Sequence, residues 1–249
     1  LVMLLAFHSE YAYLAVIVGV LAHALYKGPL FMLAGIVDHA MGTREIHRLA
    51  NLRRVMPAAT VVAVLGTLSM AGLPPLFGFL AKETLLETFH HFAEHDSVMI
   101  GYIGMGVGAL TGALFVGYSL MLLWEPFLRT EAPAPAAHLH HAPAFSFVLA
   151  PLVLVLIGTA IPLVLPWVEK GLLIAPAGAI AGEPLNAHLA LWHGFTPVFL
   201  TSMVAIACGL LIFWQRSMLR AAFLFAPPWL NGQQIYEWCY KQSYAIARQ

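Results

Sequence analysis

Apolar runs of roughly 20 residues or more, broken by short polar clusters, dominate the chain. They cover Tyr11–Val37, Pro57–His90, Val98–Trp124, Phe145–Val168 and Phe195–Trp214. A helix rises about 1.5 Å per residue, so each run is long enough for a hydrocarbon core of about 30 Å. The fold class this predicts is all-α, a polytopic transmembrane helix bundle. Two runs exceed a plain crossing and contain breakers: Lys27-Gly28-Pro29 in the first and Gly72-Leu73-Pro74-Pro75 in the second. Broken helices are therefore expected. The chain opens inside a shorter apolar run, Leu1–Phe7, of only about 10 Å as helix, without the basic start of a signal peptide. That stub reads as the tail of a helix, and the chain as a fragment.

Charge placement fixes the number of crossings. With five, the loops after the first, third and fifth share a side, which collects Arg44, Arg48, Arg53, Arg54, Arg129, Arg216, Arg220, Lys241 and Arg248. Lys170 alone is on the other side. Splitting Pro57–His90 into two crossings would scatter these charges over both faces. One broken helix is expected there, with the Arg44–Arg54 loop and the C-terminus cytoplasmic by the positive-inside rule. Thr130–Pro143 is Pro/Ala-rich and suits a flexible connector, and its His138, His140 and His141 lack further metal ligands. Glu169–Trp192 reads as an extracytoplasmic loop. Phe223–Trp229 and Ile235–Tyr244 suit an interfacial helix, with Trp229, Trp238 and Tyr240 at headgroup level.

Composition excludes the soluble classes. Hydrophobic residues make up 61% of the 249 and charged ones 10%, against about 45–50% and 25% in soluble domains. Twelve basic and twelve acidic residues leave no basic field for nucleic acid. Cys208 and Cys239 have no metal-ligand spacing and form no disulfide framework. The chain carries no dinucleotide fingerprint and no iron–sulfur cysteine cluster, so no cofactor is expected.

The scarce charges inside the runs are the candidate chemistry. A lysine at the bilayer centre costs about 2.5–3.5 kcal/mol and is a functional-site hypothesis by default. Lys27 follows His23 by four residues, so both share a helix face one turn apart. The bland alternative is a satisfied core histidine and a snorkelling lysine. Lys82 and Glu83 adjoin the Gly-Leu-Pro-Pro break, where loosened backbone lines a cavity or is buried in protein. Glu83, Glu87, His91 and His95 recur every fourth residue as one ionisable stripe, a path for protons or, blandly, a charged helix end. Asp38-His39 ends the first run as a helix stop before an anchoring charge cluster. Asp38, His39 and His91 are thus relay or loop residues. Thr67, Ser69, Thr111 and Ser119 serve helix packing or line water.

These residues carry a family resemblance. His23-Ala-Leu-Tyr-Lys-Gly-Pro-Leu-Phe, Gly35-Ile-Val-Asp-His and Gly42-Thr-Arg-Glu resemble the A subunit of Mrp-type multisubunit sodium/proton antiporters. Ser69-Met-Ala-Gly-Leu-Pro-Pro-Leu-Phe-Gly-Phe-Leu-Ala-Lys-Glu is similar to the break shared by antiporter-like subunits, including the distal proton-pumping subunit of respiratory complex I. The resemblance implies an inverted-repeat antiporter-like fold with a central polar axis, and partner subunits in a cell membrane. It implies a relay pair in His23 and Lys27 and a terminal lysine in Lys82 with Glu83 as its acidic neighbour. With the stripe beyond, the leading expectation is proton transfer along His23, Lys27 and Lys82 toward Glu83 and Glu87, exchanged against sodium. Residues 1–124 would be a second-half translocating module, truncated on its N-terminal side. Residues 125–143 would be a flexible cytoplasmic loop, 144–215 two further transmembrane helices, and 216–249 a cytoplasmic or interfacial tail. The alternatives are the proton-pumping arm of a quinone-reducing complex and a scaffold subunit with structural lysines.

Overall fold

A computed structural model describes residues 2–132, 137–192, 194–224 and 232–246, and all regular structure among them is helical. Trp229 and Arg248 lie outside the described residues, as does the side chain of Arg220.

The spine is α1 (Glu10–Met41), which runs unbroken through Lys27-Gly28-Pro29 with Pro29 buried inside it, where a break was expected. Ser9 caps its start, its Oγ accepting the Ala12 N–H at 3.2 Å. Gly42 closes its end at a φ of 64°, donating its N–H to the Asp38 carbonyl at 2.8 Å. The opening apolar stub forms a 3-10 turn, Val2–Ala6, where a helix tail was expected. Leu4 is buried, and Phe7 stands edge-on to Phe89 and Phe92 at 5.5 and 4.9 Å, so packing holds this short turn in place.

A short helix, α2 (Leu52–Val55), precedes the second apolar run, which divides into α3 (Pro57–Met70) and α4 (Phe77–His95). α3 lies on the C-terminal half of α1, with Gly66 facing Leu30 and with Ala59, Val62 and Ala63 in one core with Leu33 and Ile36. α4 lies on the N-terminal half, where Phe77 and Leu80 pack with Leu14 and Val18 and the Tyr11 ring meets His91. The pair runs end to end antiparallel to α1, as one interrupted helix.

α5 (Val98–Leu123) returns along α4 and continues as a π-turn, Trp124–Leu128, around Pro126. Its Gly101, Gly104 and Gly108 face Ala93, Phe89 and Leu86, and the missing side chains let the helices approach closely. α6 (Phe145–Leu163) lies against α1 with Gly158 at Leu25. α7 (Leu165–Glu169), a π-turn at Lys170–Ile174 and α8 (Ala175–Ala181) follow. This stretch is not the plain loop its weak polarity suggests. Leu173 and Ala177, one turn apart, bury into the core of Leu14, Val18 and Leu80, and Leu185 and Leu189 follow them. α9 (Pro197–Trp214) packs on α5, with Gly209 against Val116. α10 (Arg216–Leu224) and α11 (Gly232–Ile246) complete the chain, and α11 contains the aromatic-rich stretch expected to be helical.

Among the described residues, Glu10–Met41, Val98–Leu128, Phe145–Leu163 and Pro197–Trp214 are long and apolar enough to cross a membrane. The interrupted α3–α4 pair accounts for the fifth run. The protein is a multi-pass membrane bundle. One of its ends gathers basic groups: Arg129 pairs with the buried Glu125 and donates to the carbonyls of Ile46 and Leu49 at 3.3 and 3.0 Å. Arg216 lies 3.8 Å from the same Glu125. The Arg44–Arg54 loop, Arg129 and Arg216 thus share one end, while Lys170 shares a cavity with His188 at the opposite end.

Candidate functional site

The break between α3 and α4 organises the polar interior. Gly72 takes a φ of 66°, and Gly72 and Leu73 donate their N–H groups to the Ser69 and Leu68 carbonyls, the two bonds of a Schellman ending. The Pro74–Pro75 peptide is cis. α4 then starts without a local side-chain cap. Ser69 supplies one from across the break, its Oγ accepting the Gly78 N–H at 3.3 Å. The turn closes so tightly that a Cβ on Gly78 would overlap the Ser69 carbonyl.

This geometry leaves the Gly72 carbonyl for Lys82, whose Nζ donates to it at 3.2 Å. The lysine stem runs beside Gly72 and Gly112, and Nζ stands 5.3 Å from the Phe79 ring centroid. Lys82 and His23 line one cavity of about 260 Å³, together with Tyr26 and Thr111. His23 Nδ1 lies 3.3 Å from the Tyr26 hydroxyl. His23 is nevertheless exposed on the described bundle, and exposure of an ionisable ring to lipid within a span would be costly.

Lys27 occupies a second cavity, of about 250 Å³, with Thr67, Tyr118 and Arg44. Its Nζ is 5.8 Å from the Phe31 ring and 6.0 Å from that of Tyr118. Met70 lines both cavities, so the α3 terminus stands between Lys27 and Lys82.

Beyond Lys82, Glu83 and Glu87 line a third cavity of about 430 Å³, with Glu10, Tyr11 and His188. Glu83 accepts a hydrogen bond from Ser202 of α9, a residue fully buried between helices. His91 continues the stripe as a stack, 4.1 Å from the His95 ring and 4.5 Å from that of Tyr11. Asp38 and His39 lie elsewhere, at the basic end. Asp38 binds Arg44 at 2.7 Å, and the His39 ring rests 4.6 Å from His141. Of the hydroxyls singled out in the sequence, Thr111 bonds back to its own helix at Val107, whereas Ser69 spans the break.

The structure therefore brings His23 to Lys82, and Glu83 to Glu87, and sets Lys27 in a cavity of its own. Sequence reasoning missed Ser202, Glu10 and His188. Ser202 is one hydroxyl in an apolar run, Glu10 reads as a first-turn acid, and His188 falls in a weakly patterned stretch. No group of three or more His, Cys, Asp or Glu suited to a metal occurs among the described residues.

Residues 1–108 match a family described as NADH:quinone oxidoreductase/Mrp antiporter, transmembrane. The chain is 29% identical to the A subunit of the Na(+)/H(+) antiporter of Bacillus subtilis (strain 168), over 97% of its own length and 32% of that protein. It is 30% identical to the A1 subunit of the Na(+)/H(+) antiporter of Staphylococcus haemolyticus (strain JCSC1435), over 76% of this chain and 24% of that one. It superposes on a chain of the Mrp complex from Dietzia sp. DQ12-45-1b with a TM-score of 0.68 at 29% identity, covering 96% of this chain and 26% of that one. The chain thus spans about a quarter to a third of the length of these relatives.

Proposed function

We propose that this chain, a membrane helical bundle homologous to the Mrp and complex I antiporter family, is a proton-translocating subunit of a multisubunit Na+/H+ antiporter in the cell membrane. The observation that carries the reading is the order of the three cavities along α1. Lys27 lies in the one reaching Arg44, His23 and Lys82 in the middle one, and Glu83 and Glu87 in the one reaching Glu10. Each cavity holds ionisable groups where the bilayer makes an idle charge expensive.

Protons pass from the Arg44 end to Lys27, across the Met70 constriction to His23 and Lys82, and on through Glu83 to Glu87. At each step one base gains the proton its neighbour releases, and the Gly72 carbonyl holds the ammonium form of Lys82 in place. The outward faces of His23 and Lys27 are covered by other helices of the assembled transporter, which spares both groups contact with lipid. The Arg44–Arg54 loop is cytoplasmic, as the clustering of basic groups at that end supports. The relatives are named as antiporter subunits, which favours sodium/proton exchange over a redox-linked pump.

The test is Lys82→Ala in the assembled complex, followed by ΔpH formation in everted vesicles. Transport is expected to fall to background while the complex still assembles. A wild-type rate would overturn the role of Lys82, and copurification of an NADH-oxidising arm would overturn the antiporter assignment.

A further inference from the structure

The third cavity is bounded on one side by a short segment, and that segment carries a histidine the proposed relay does not use. Asn186, Ala187 and His188 line the Glu83–Glu87 cavity, and the same three residues line an outer, more open cavity of about 810 Å³. They form a wall shared by the two cavities. Leu185 and Leu189 pin the wall at both ends, each buried in the core around Leu14 and Leu80.

The wall is tied from behind by Glu169. This side chain is only 7% exposed, and it sits where α7 runs into the π-turn. One of its oxygens accepts the Leu189 N–H at 3.1 Å, and the other lies 3.1 Å from His188 Nδ1. The His188 side chain is nevertheless 72% exposed. Tethering the segment does not call for an exposed imidazole, since two buried leucines and the Leu189 N–H already hold it. An exposed ring in the wall, fixed at one nitrogen by a buried carboxylate, has the form of a proton-transfer group.

We propose that His188 passes protons between the Glu83–Glu87 cavity and the outer cavity, with Glu169 as its positioning residue. The inference rests on the transport reading given above. With Nδ1–H donated to Glu169, the basic nitrogen of the neutral ring is Nε2. Nε2 takes the proton released by Glu87, directly or through water, and Glu169 balances the imidazolium charge. The ring then gives one proton to water in the outer cavity and is neutral again, so one proton enters and one leaves. The charged and titratable groups facing this point are Glu10, Tyr11, Glu83 and Glu87 on the inner side, and Glu169, Lys170 and Glu183 on the outer.

His188→Asn provides the test, because the asparagine amide keeps a donor where Nδ1 stood and removes the basic nitrogen. In the assembled complex, this variant is expected to lower the transport rate about a hundredfold or more, the low end of the range for lost acid–base groups. Imidazole added on the side of the outer cavity is expected to restore the rate in His188→Ala, and not in Lys82→Ala. A wild-type rate in His188→Asn overturns the proposal, as does a slow His188→Ala complex that imidazole leaves slow. The Lys82→Ala arm separates the two levels. If it abolishes transport while His188→Asn is normal, the outlet assignment alone fails; if Lys82→Ala transports normally, the transport reading fails with it.

Discussion

Glu83 takes its hydrogen bond from Ser202, 119 positions further along the chain. A carboxylate in a half-buried site is held by such donors, each worth about 1.5–3 kcal/mol when the acceptor is charged. Ser202→Ala removes the donor with the loss of a single oxygen. The variant is expected to assemble and to transport protons about tenfold more slowly, since ~1.4 kcal/mol is a factor of ten in rate. Rates in everted vesicles check this, with Ser202→Thr expected to stay near wild type. Lys82 depends on an equally specific partner, the Gly72 carbonyl, and no residue type in the sequence announces that bond. Lys27, Lys82, Glu83 and Glu87 were legible as candidates because charge within apolar runs is rare. Their partners were not, because a serine or a backbone carbonyl is common everywhere.

At the scale of elements, the α3–α4 break is the construction on which the site depends. Gly72 accepts the left-handed turn, Ser69 caps the new helix, and Gly78 lets the two approach. In Gly78→Ala the new Cβ meets the Ser69 backbone, an overpacking that costs about 1–3 kcal/mol. A lower thermal midpoint of the purified complex is expected, with slower transport as the Gly72 carbonyl shifts from Lys82. Gly106→Ala, which opens onto free space, is expected to leave both unchanged. Equal midpoints for the two variants would remove the tight closure from the account. The Gly72-Leu73-Pro74-Pro75 breaker was plain in the sequence, and so was the interrupted helix, whereas Lys27-Gly28-Pro29 leaves α1 continuous. The glycines of α5 at 101, 104 and 108 were not singled out, because a glycine in an apolar run does not reveal which neighbour it admits.

Across the whole molecule, the α1–(α3–α4)–α5–α6–α9 succession puts the basic loops at one end and His188 and Lys170 at the other. Sided labelling checks the orientation proposed from this. With Cys208 and Cys239 replaced by serine, Lys170→Cys is expected to react with an impermeant maleimide in intact cells, and Arg53→Cys only after permeabilisation. The reverse pattern would turn the proposed proton path around. The sequence by itself determined the membrane class, the number of apolar runs, the break in the second of them and the residues whose charge is costly there. Each of these follows from local composition, since burial in lipid penalises polarity residue by residue. Only the tertiary structure decided which of those residues share a cavity, that Glu83 meets Ser202, and that Glu169 secures the wall carrying His188. Such pairings join α4 to α9 and α7 to the segment that precedes α9, and their spacing along the chain follows no helical period. They depend on how the helices stack, which close contact between glycines and bulky neighbours sets.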